Sequence, residues 1–218
     1  MPKFYGQFNP PVDKFIYERY FENCGSTGFF VECGACDGVL ESSCKFFEET
    51  LGWQGMNIEA SPPNFRELEA NRPNSRNRLL ALSNQDGIVS FSHAVHPKHS
   101  VFGNGSVGHT EAHRQALMQE GCTFETYDIP SMTWGSLMVK EQLNYVDLLV
   151  LDVEGHEMEV IQGMKGSILL PDILCIEVGH LSLEAIRREL KSLGYIFDTT
   201  SNINAFFLRP QRRLKATS

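Results

Sequence analysis

The chain has 218 residues, of which 42% are apolar and 21% charged, with a formal net charge of −8. That length supports one substantial core in a single domain over 1–218, and the composition is that of an ordinary soluble globular protein. The acidic balance argues against a nucleic-acid or anionic-membrane partner, leaving the short basic stretch "RPQRRLK" as a solvated tail.

The start "MPKFYGQFNPP" lacks the apolar stretch of a secretory leader, and no run approaches the roughly 20 apolar residues of a membrane helix. Six cysteines are too sparse for a disulfide scaffold, so a reducing cytoplasm is the expected compartment.

In chain order, short apolar strands alternate with amphipathic helices. "GFFVEC" (28–33) precedes a helix predicted over "LESSCKFFEETLG", ended by Gly52. "GMNIEA" (55–60) precedes "SPPNFRELEAN", where Ser61 can cap and Pro62 suits the first helical position. "RLLALS" (78–83) is a third strand, and Asp86-Gly87 then signals a hairpin into "GIVSF". "YVDLLVLDV" (145–153) and "PDILCIEV" (171–178) are almost continuously apolar, as strands buried on both faces are. "SLEAIRRELKSLG" places Leu183, Ile186, Leu190 and Leu193 on one stripe, with Gly194 as its stop. "YIFDTT" and "NAFFLRP" close the chain as two strands around a polar turn. This alternation defines an α/β layer fold with a mainly parallel sheet.

Ligands of such sheets bind beyond the carboxyl ends of the strands. Three of those ends are acidic here, at Glu32, Glu59 and Asp152. A carboxylate there is costly to desolvate unless a donor or a positive group meets it. Helix caps and ion pairs explain single cases; three on one rim point to a ligand. In "FFVECGACDG" the turn after Glu32 runs Gly34-Ala35-Cys36-Asp37-Gly38, and Glu59 lies 21 positions beyond Gly38. That is close to the spacing at which an acid receives a ribose diol after a glycine-bearing turn. Neither GxGxxG nor GxxxxGK[ST] is present, so a nucleoside without pyrophosphate fits better than a dinucleotide or a P-loop nucleotide. Cys33 sits on the strand and Cys36 among small turn residues, with no second CxxC, so both read as space fillers rather than a redox or zinc pair.

"FVECGACDG", "LGWQGMNIEASPPNFRELEANRP", "LALSNQDGIVSF" and above all "VDLLVLDVEGHEMEVIQGM" resemble the FkbM family of class I methyltransferases, over roughly residues 5 to 208. The most specific piece is the D-x-E-G-x-E of Asp152 to Glu157. The resemblance implies a Rossmann-like seven-stranded sheet with its last strand antiparallel, helices on both faces, and S-adenosylmethionine as cofactor. It also implies that Glu32, Gly34 and Gly38 lie beside the methionine part and Glu59 on the ribose. Ala60, Leu82 and Ser83 would border the adenine, and Asp37, Ser42 and Ser43 the amino-acid end. Residues 1–27 resemble a cap closing over the cofactor, with Gln7 and Asp13 matching its Q-F-x-x-D pattern across a longer spacing.

Transfer from a sulfonium is mostly positioning, but a hydroxyl acceptor must also lose a proton. Asp152, Glu154, Glu177 and His180 follow the central strands, with His156 behind them, and Glu154 and His180 are the candidate base and orienting group. Glu157 and Glu159 are expected to face solvent, and Ser182 can cap the helix after His180 unaided. Residues 92–122 break the rhythm of the sheet and hold five of the seven histidines. They read as an acceptor-side lid, with Phe102 against a sugar face. His109 and His113 stand one helical turn apart, yet HExxH is absent and no metal is expected. The reading is an O-methyltransferase acting on a sugar or a related hydroxylated small molecule or glycan. The alternatives are N-methylation, a non-catalytic binding module of the same fold, and a nicotinamide oxidoreductase.

Overall fold

The computed structural model describes residues 2–22 and 27–210. Most of the basic tail lies outside them. Helix α1 (Val12–Ile16) continues as a π-helical turn over Tyr17–Phe21. Strand β1 (Phe29–Cys33), helix α2 (Lys45–Glu49), strand β2 (Gln54–Glu59), helix α3 (Pro62–Asn71) and strands β3 (Arg76–Leu79) and β4 (Ala81–Leu82) follow. Then come β5 (Gly87–Val95), α4 (Glu111–Gln119), β6 (Thr123–Met132), α5 (Trp134–Lys140), β7 (Leu148–Leu151) and α6 (Glu157–Gly163). The chain ends with β8 (Ile173–Glu177), α7 (Leu183–Ser192), β9 (Ile196–Ser201) and β10 (Asn204–Leu208).

Seven strands form one sheet in the order β3-β2-β1-β7-β8-β10-β9, and only the last strand, β10, runs against its neighbours. Strand order reverses between β1 and β7, which opens a crevice at their carboxyl ends. The continuous apolar runs cover both faces. On one, Phe29, Val31, Leu149, Leu151, Leu174 and Ile176 pack beneath α5, α6 and α7. On the other, Phe30, Leu148, Val150 and Cys175 meet α1 and α2 through Ile16, Phe46 and Phe47. Trp53 is buried in this second layer.

Several local expectations are met. Ser61 accepts from the Asn64 N–H at the head of α3, and Ser182 from Ala185 at the head of α7. Ile186 and Leu190 are fully buried on the predicted stripe of α7.

Three differ. The helix predicted from residue 40 starts only at Lys45, because the Glu32 carboxylate takes the N–H groups of Ser43 and Cys44 and holds 40–44 as a turn. The single strand over 78–83 is split at Leu80, with β3 in the main sheet and β4 in a second, three-stranded sheet ordered β4-β6-β5. β5 therefore forms its antiparallel pair with β6 rather than with the strand before Asp86-Gly87. Asp86 instead accepts from the Thr133 N–H and the Ser136 hydroxyl at the head of α5.

Candidate active site

Alternation along the strands brings the carboxylates together. Phe29, Val31 and Cys33 of β1 face α5 to α7, so Phe30 and Glu32 face the other way. The same period of two assigns Glu59, Asp152 and Glu177 to that side, at the carboxyl ends of four neighbouring strands. In register, Leu151 lies beside Ile176, which puts Asp152 level with Glu177.

Two compartments adjoin at this rim and share Cys33, Gly34, Gly103 and Asp152. The larger, about 500 Å³, is lined by Gln7, Glu32, Gly34, Ser42, Ser43, Asp152, Glu154 and His180, joined by Glu41, Phe102, Asn104 and His113. The smaller is an apolar slot between Ile58, Leu80, Leu82, Phe91 and Val153, with Glu59, Ala60 and His156 on its wall. At about 30 Å³ it is nearly closed, so a purine ring enters it only if the Phe91 and Gly103–Val107 wall moves outward. Asp37, Gly38 and Ser83 line neither compartment. Asp37 caps the turn by accepting from Val39 and Leu40, Gly38 lies against Arg72 and Leu68, and Ser83 pairs with His156 at 3.0 Å.

Each acid is held differently. Glu32 accepts from the Ser42 hydroxyl (2.8 Å) and the Ser43 N–H (2.7 Å), beside the buried guanidinium of Arg72. Burial raises its pKa, opposed first by Arg72. Glu59 accepts from Cys36 N–H (2.8 Å) and Ser61 N–H (2.7 Å), which leaves lone pairs on both oxygens. Burial lifts it to about 7 against those bonds. Gly34, at φ +88°, is required by packing: a Cβ there would sit 1.7 Å from the Asp152 carbonyl oxygen. It thus clamps the β1 turn to the β7 turn rather than clearing space for a ligand.

No protein donor reaches the Asp152 carboxylate among the described residues. Its carboxyl is driven well above the usual range by its depth in the crevice, then by Glu177, Glu157 and Glu32. The Asp152 residue is itself exposed to the cavity, so solvent screens that rise. Glu154, at φ +54°, has its Oε2 3.1 Å from His180 Nε2, and the imidazole tautomer decides which of the two carries the shared proton. Burial and then Asp152 push Glu154 to about 9, while burial lowers His180.

Glu157, expected at the surface, is 1% exposed. Its carboxylate turns back to accept from the N–H groups of Val153 (3.0 Å) and Gly155 (3.1 Å), locking the turn that presents Asp152 and Glu154. An acid at the first position of α6 offered the signal, since such a side chain can reach back to free N–H groups. Glu159 does stay half-exposed. Arg72 and Asn104 were also missed as parts of the site, while His113 was noted only through its spacing from His109. Cys33 and Cys36 are buried free thiols with pKa values raised by burial, which suits a packing role.

The acids give stability a defined pH dependence. An acid with a folded pKa above its unfolded value destabilises the fold as pH climbs between the two. For Glu59 and Glu177 that window closes near 7, and for Glu154 near 9. The histidines lowered by burial, His113 to about 4 with His93, His109, His156 and His180, act oppositely, but only below their unfolded value. Stability is therefore expected to fall by on the order of 2 kcal/mol from about pH 6.5 to 8.5. Thermal unfolding across that range measures it, and Glu154→Gln and Asp152→Asn are each expected to remove part of the slope.

The residues present fit S-adenosylmethionine. The cofactor joins an apolar purine to a ribose and a methionine end that bears two cationic groups, a sulfonium and an ammonium, beside one carboxylate. Here an apolar slot, a buried carboxylate at its edge and an acid-lined cavity with no Lys or Arg among its described lining residues lie in that order. A pyrophosphate would meet only like charge in the same cavity. The strand order, the crevice and this sequence of surfaces define a class I S-adenosylmethionine-dependent methyltransferase. Residues 32–197 match the methyltransferase FkbM domain, and the chain belongs to that family.

Among curated proteins no sequence matches this one. Of solved structures, TrmK of M. capricolum in complex with S-adenosylhomocysteine is 9% identical, covers 94% of this chain and 67% of its own, and has a TM-score of 0.47. Fibrillarin of Aeropyrum pernix, with natively bound S-adenosyl-L-methionine, is 11% identical over 91% of this chain and 73% of its own, also at 0.47. Neither is similar enough to carry an activity, acceptor or partner across. No helix among the described residues is long and apolar enough to cross a membrane.

Proposed function

We propose that this protein methylates a hydroxyl oxygen of a sugar or a related polyhydroxylated small molecule or glycan. The observation that carries the reading is the 3.1 Å contact between His180 and Glu154 in the wall of the large cavity, away from the apolar slot. S-adenosylmethionine, when bound, supplies a methyl group on a sulfonium, which leaves as the neutral thioether. The chain's residues then divide the work. Ile58, Ala60, Leu80 and Leu82 take the purine, Glu59 accepts from the ribose hydroxyls, and Glu32 with Ser42 and Ser43 shapes the methionine end. Asp152, at the junction of the compartments and free of protein donors, faces the cationic centre. His180, kept neutral by burial, accepts the proton of the acceptor hydroxyl as its oxygen takes the methyl group, with Glu154 orienting the ring.

Residues 1–27 act as the cap on the cofactor side, and 92–122 as the acceptor-side lid. The lid is not wholly loop, since Ser92–Val95 belong to β5 and α4 packs Leu117 beside Ala94 and Cys122. Phe102 on the cavity wall supplies a flat apolar face of the kind that sugar rings favour. An acidic wall with no Lys or Arg among its described lining residues disfavours a phosphate-rich acceptor, which supports a small neutral one over a nucleic acid.

The test uses radiolabelled cofactor with a panel of sugars, polyols, nucleosides, amines and RNA. Transfer to hydroxylated small molecules is expected. His180→Ala and Glu154→Gln should each lower kcat by roughly 10²- to 10⁴-fold, with S-adenosylhomocysteine affinity kept within about threefold. Transfer to amines or RNA alone, or unchanged kcat in both variants, overturns the reading.

A further inference from the structure

We propose that His113, Glu154 and His180 form a site for one first-row divalent transition-metal ion at the acceptor end of the cavity. This rests on the reading of that end as the place where the acceptor hydroxyl is activated.

The three donor atoms lie within 4.8 Å of one another. With metal–ligand bonds of about 2.0–2.1 Å, donors in one shell stand about 3.0–3.4 Å apart. His180 Nε2 and Glu154 Oε2 are already 3.1 Å apart, and His113 Nδ1 is 3.8 Å from the same oxygen. The His113 and His180 rings stack with centroids 4.1 Å apart and 12° between their planes, so one ring must rotate for both lone pairs to meet one ion.

A second observation points to a ligand. The His113 side chain is only 8% exposed, and its Nδ1 is buried without a hydrogen-bond partner while aimed at Glu154. Its other nitrogen, Nε2, donates to Asn104 Oδ1 at 3.3 Å. That bond places the proton on Nε2 and leaves the Nδ1 lone pair facing the cluster, the arrangement by which a carbonyl outside the shell orients a ligating histidine.

Each donor stands on a held backbone. Thr110 caps α4 through the N–H of His113 itself, Glu157 locks the turn bearing Glu154, and Ser182 caps α7 just beyond His180. Glu32, Glu41 and Asp152 add further carboxyl groups to the same cavity, with no Lys or Arg among its described lining residues.

Two imidazoles and one carboxylate, with the cavity side open, suit an ion such as Zn²⁺, Mn²⁺, Co²⁺ or Fe²⁺ better than Mg²⁺ or Ca²⁺, which prefer oxygen donors. An acceptor hydroxyl on the open side of such an ion is acidified, so the ion and the ligating pair share the task of freeing its oxygen. The site is not the H-x-x-x-H pair that sequence spacing suggests. His109 turns its Nε2 to the Asn104 carbonyl, and only His113 enters the cluster.

The test titrates the full chain, freed of metal with a chelator, with Co²⁺ and follows visible absorption. Circular dichroism and S-adenosylhomocysteine calorimetry on the same samples report folding and cofactor binding. One ion per chain is expected, with bands that vanish in His113→Ala and His180→Ala, persist in His96→Ala, and need about tenfold more Co²⁺ in Asn104→Ala. The proposal is overturned if the wild type shows no bands, or if they persist in His113→Ala and vanish in His96→Ala. The His96 control covers the His96–His99 pair, whose rings lie 4.4 Å apart. Co²⁺ binding without S-adenosylhomocysteine binding would overturn the cofactor-side reading and leave the metal site standing. The converse would remove the metal alone.

Discussion

Glu59→Ala is expected to weaken S-adenosylhomocysteine binding by on the order of 10²- to 10³-fold. The carboxylate stands at the edge of the apolar slot with lone pairs left over after Cys36 and Ser61 have donated to it. Two hydroxyls donating to a charged oxygen contribute roughly 1.5–3 kcal/mol each, so losing them together costs at least that factor. The same substitution leaves two buried N–H groups without an acceptor and removes a carboxyl that is costly to ionise there. These opposing terms make the binding loss larger than the stability change.

The sign of the pH dependence follows from the pKa near 7. The ionised form accepts from both hydroxyls, so affinity rises with pH, by roughly tenfold between pH 6 and 8. Calorimetric titration at three pH values, on wild type and variant, checks both statements. Binding by the variant within about threefold of wild type would remove Glu59 from the cofactor site.

The largest stability effect is expected at Arg72. This side chain is 1% exposed and lies under the cofactor turn. It pairs with Glu48 and donates to the Gly38 carbonyl at 3.0 Å and the Ser42 hydroxyl at 3.3 Å, with Glu32 at 3.8 Å. It thus ties α3 to α2 and to the turn after β1 through one buried cation. Arg72→Met fills similar volume but leaves Glu48 and Glu32 without their counter-charge, and breaking a buried pair from one side costs roughly 3–5 kcal/mol. For a chain of this size that lowers Tm by roughly 10 °C. Urea denaturation measures the loss, and Arg72→Met with Glu48→Gln should recover part of it, since no lone charge then remains on α2. A loss below about 1 kcal/mol would show that packing alone holds the turn.

Apolar patterning made the layer legible. The runs over 145–153 and 171–178 are buried on both faces because helices cover both sides of a parallel sheet, and a period of two then fixes which side Glu32, Glu59 and Asp152 take. Local chemistry was equally readable where the interaction spans a few residues, as in the caps by Ser61 and Ser182. β6 was not readable, because along Thr123–Met132 only Ile129 and Ser131 are buried and no apolar run marks it.

What the tertiary structure decided is each contact whose partners are distant in sequence. Glu32 delays α2 because folding brings residues 43 and 44 onto it, and a helix propensity of tenths of a kcal/mol per residue yields to a buried carboxylate needing donors. Glu157 turns inward because the N–H groups of Val153 and Gly155 would otherwise be left unsatisfied. Gly34 is confined by the carbonyl of Asp152, on a strand far along the chain. His113 meets Glu154 and His180 only because α4 folds back over the crevice. The sequence by itself determined the α/β layer and the side to which its strand-end acids turn, since both follow from periodicity within one segment. Which groups satisfy those acids, and which histidine joins them, was decided by packing between segments, where the cost of an unpaired buried charge outweighs local preference.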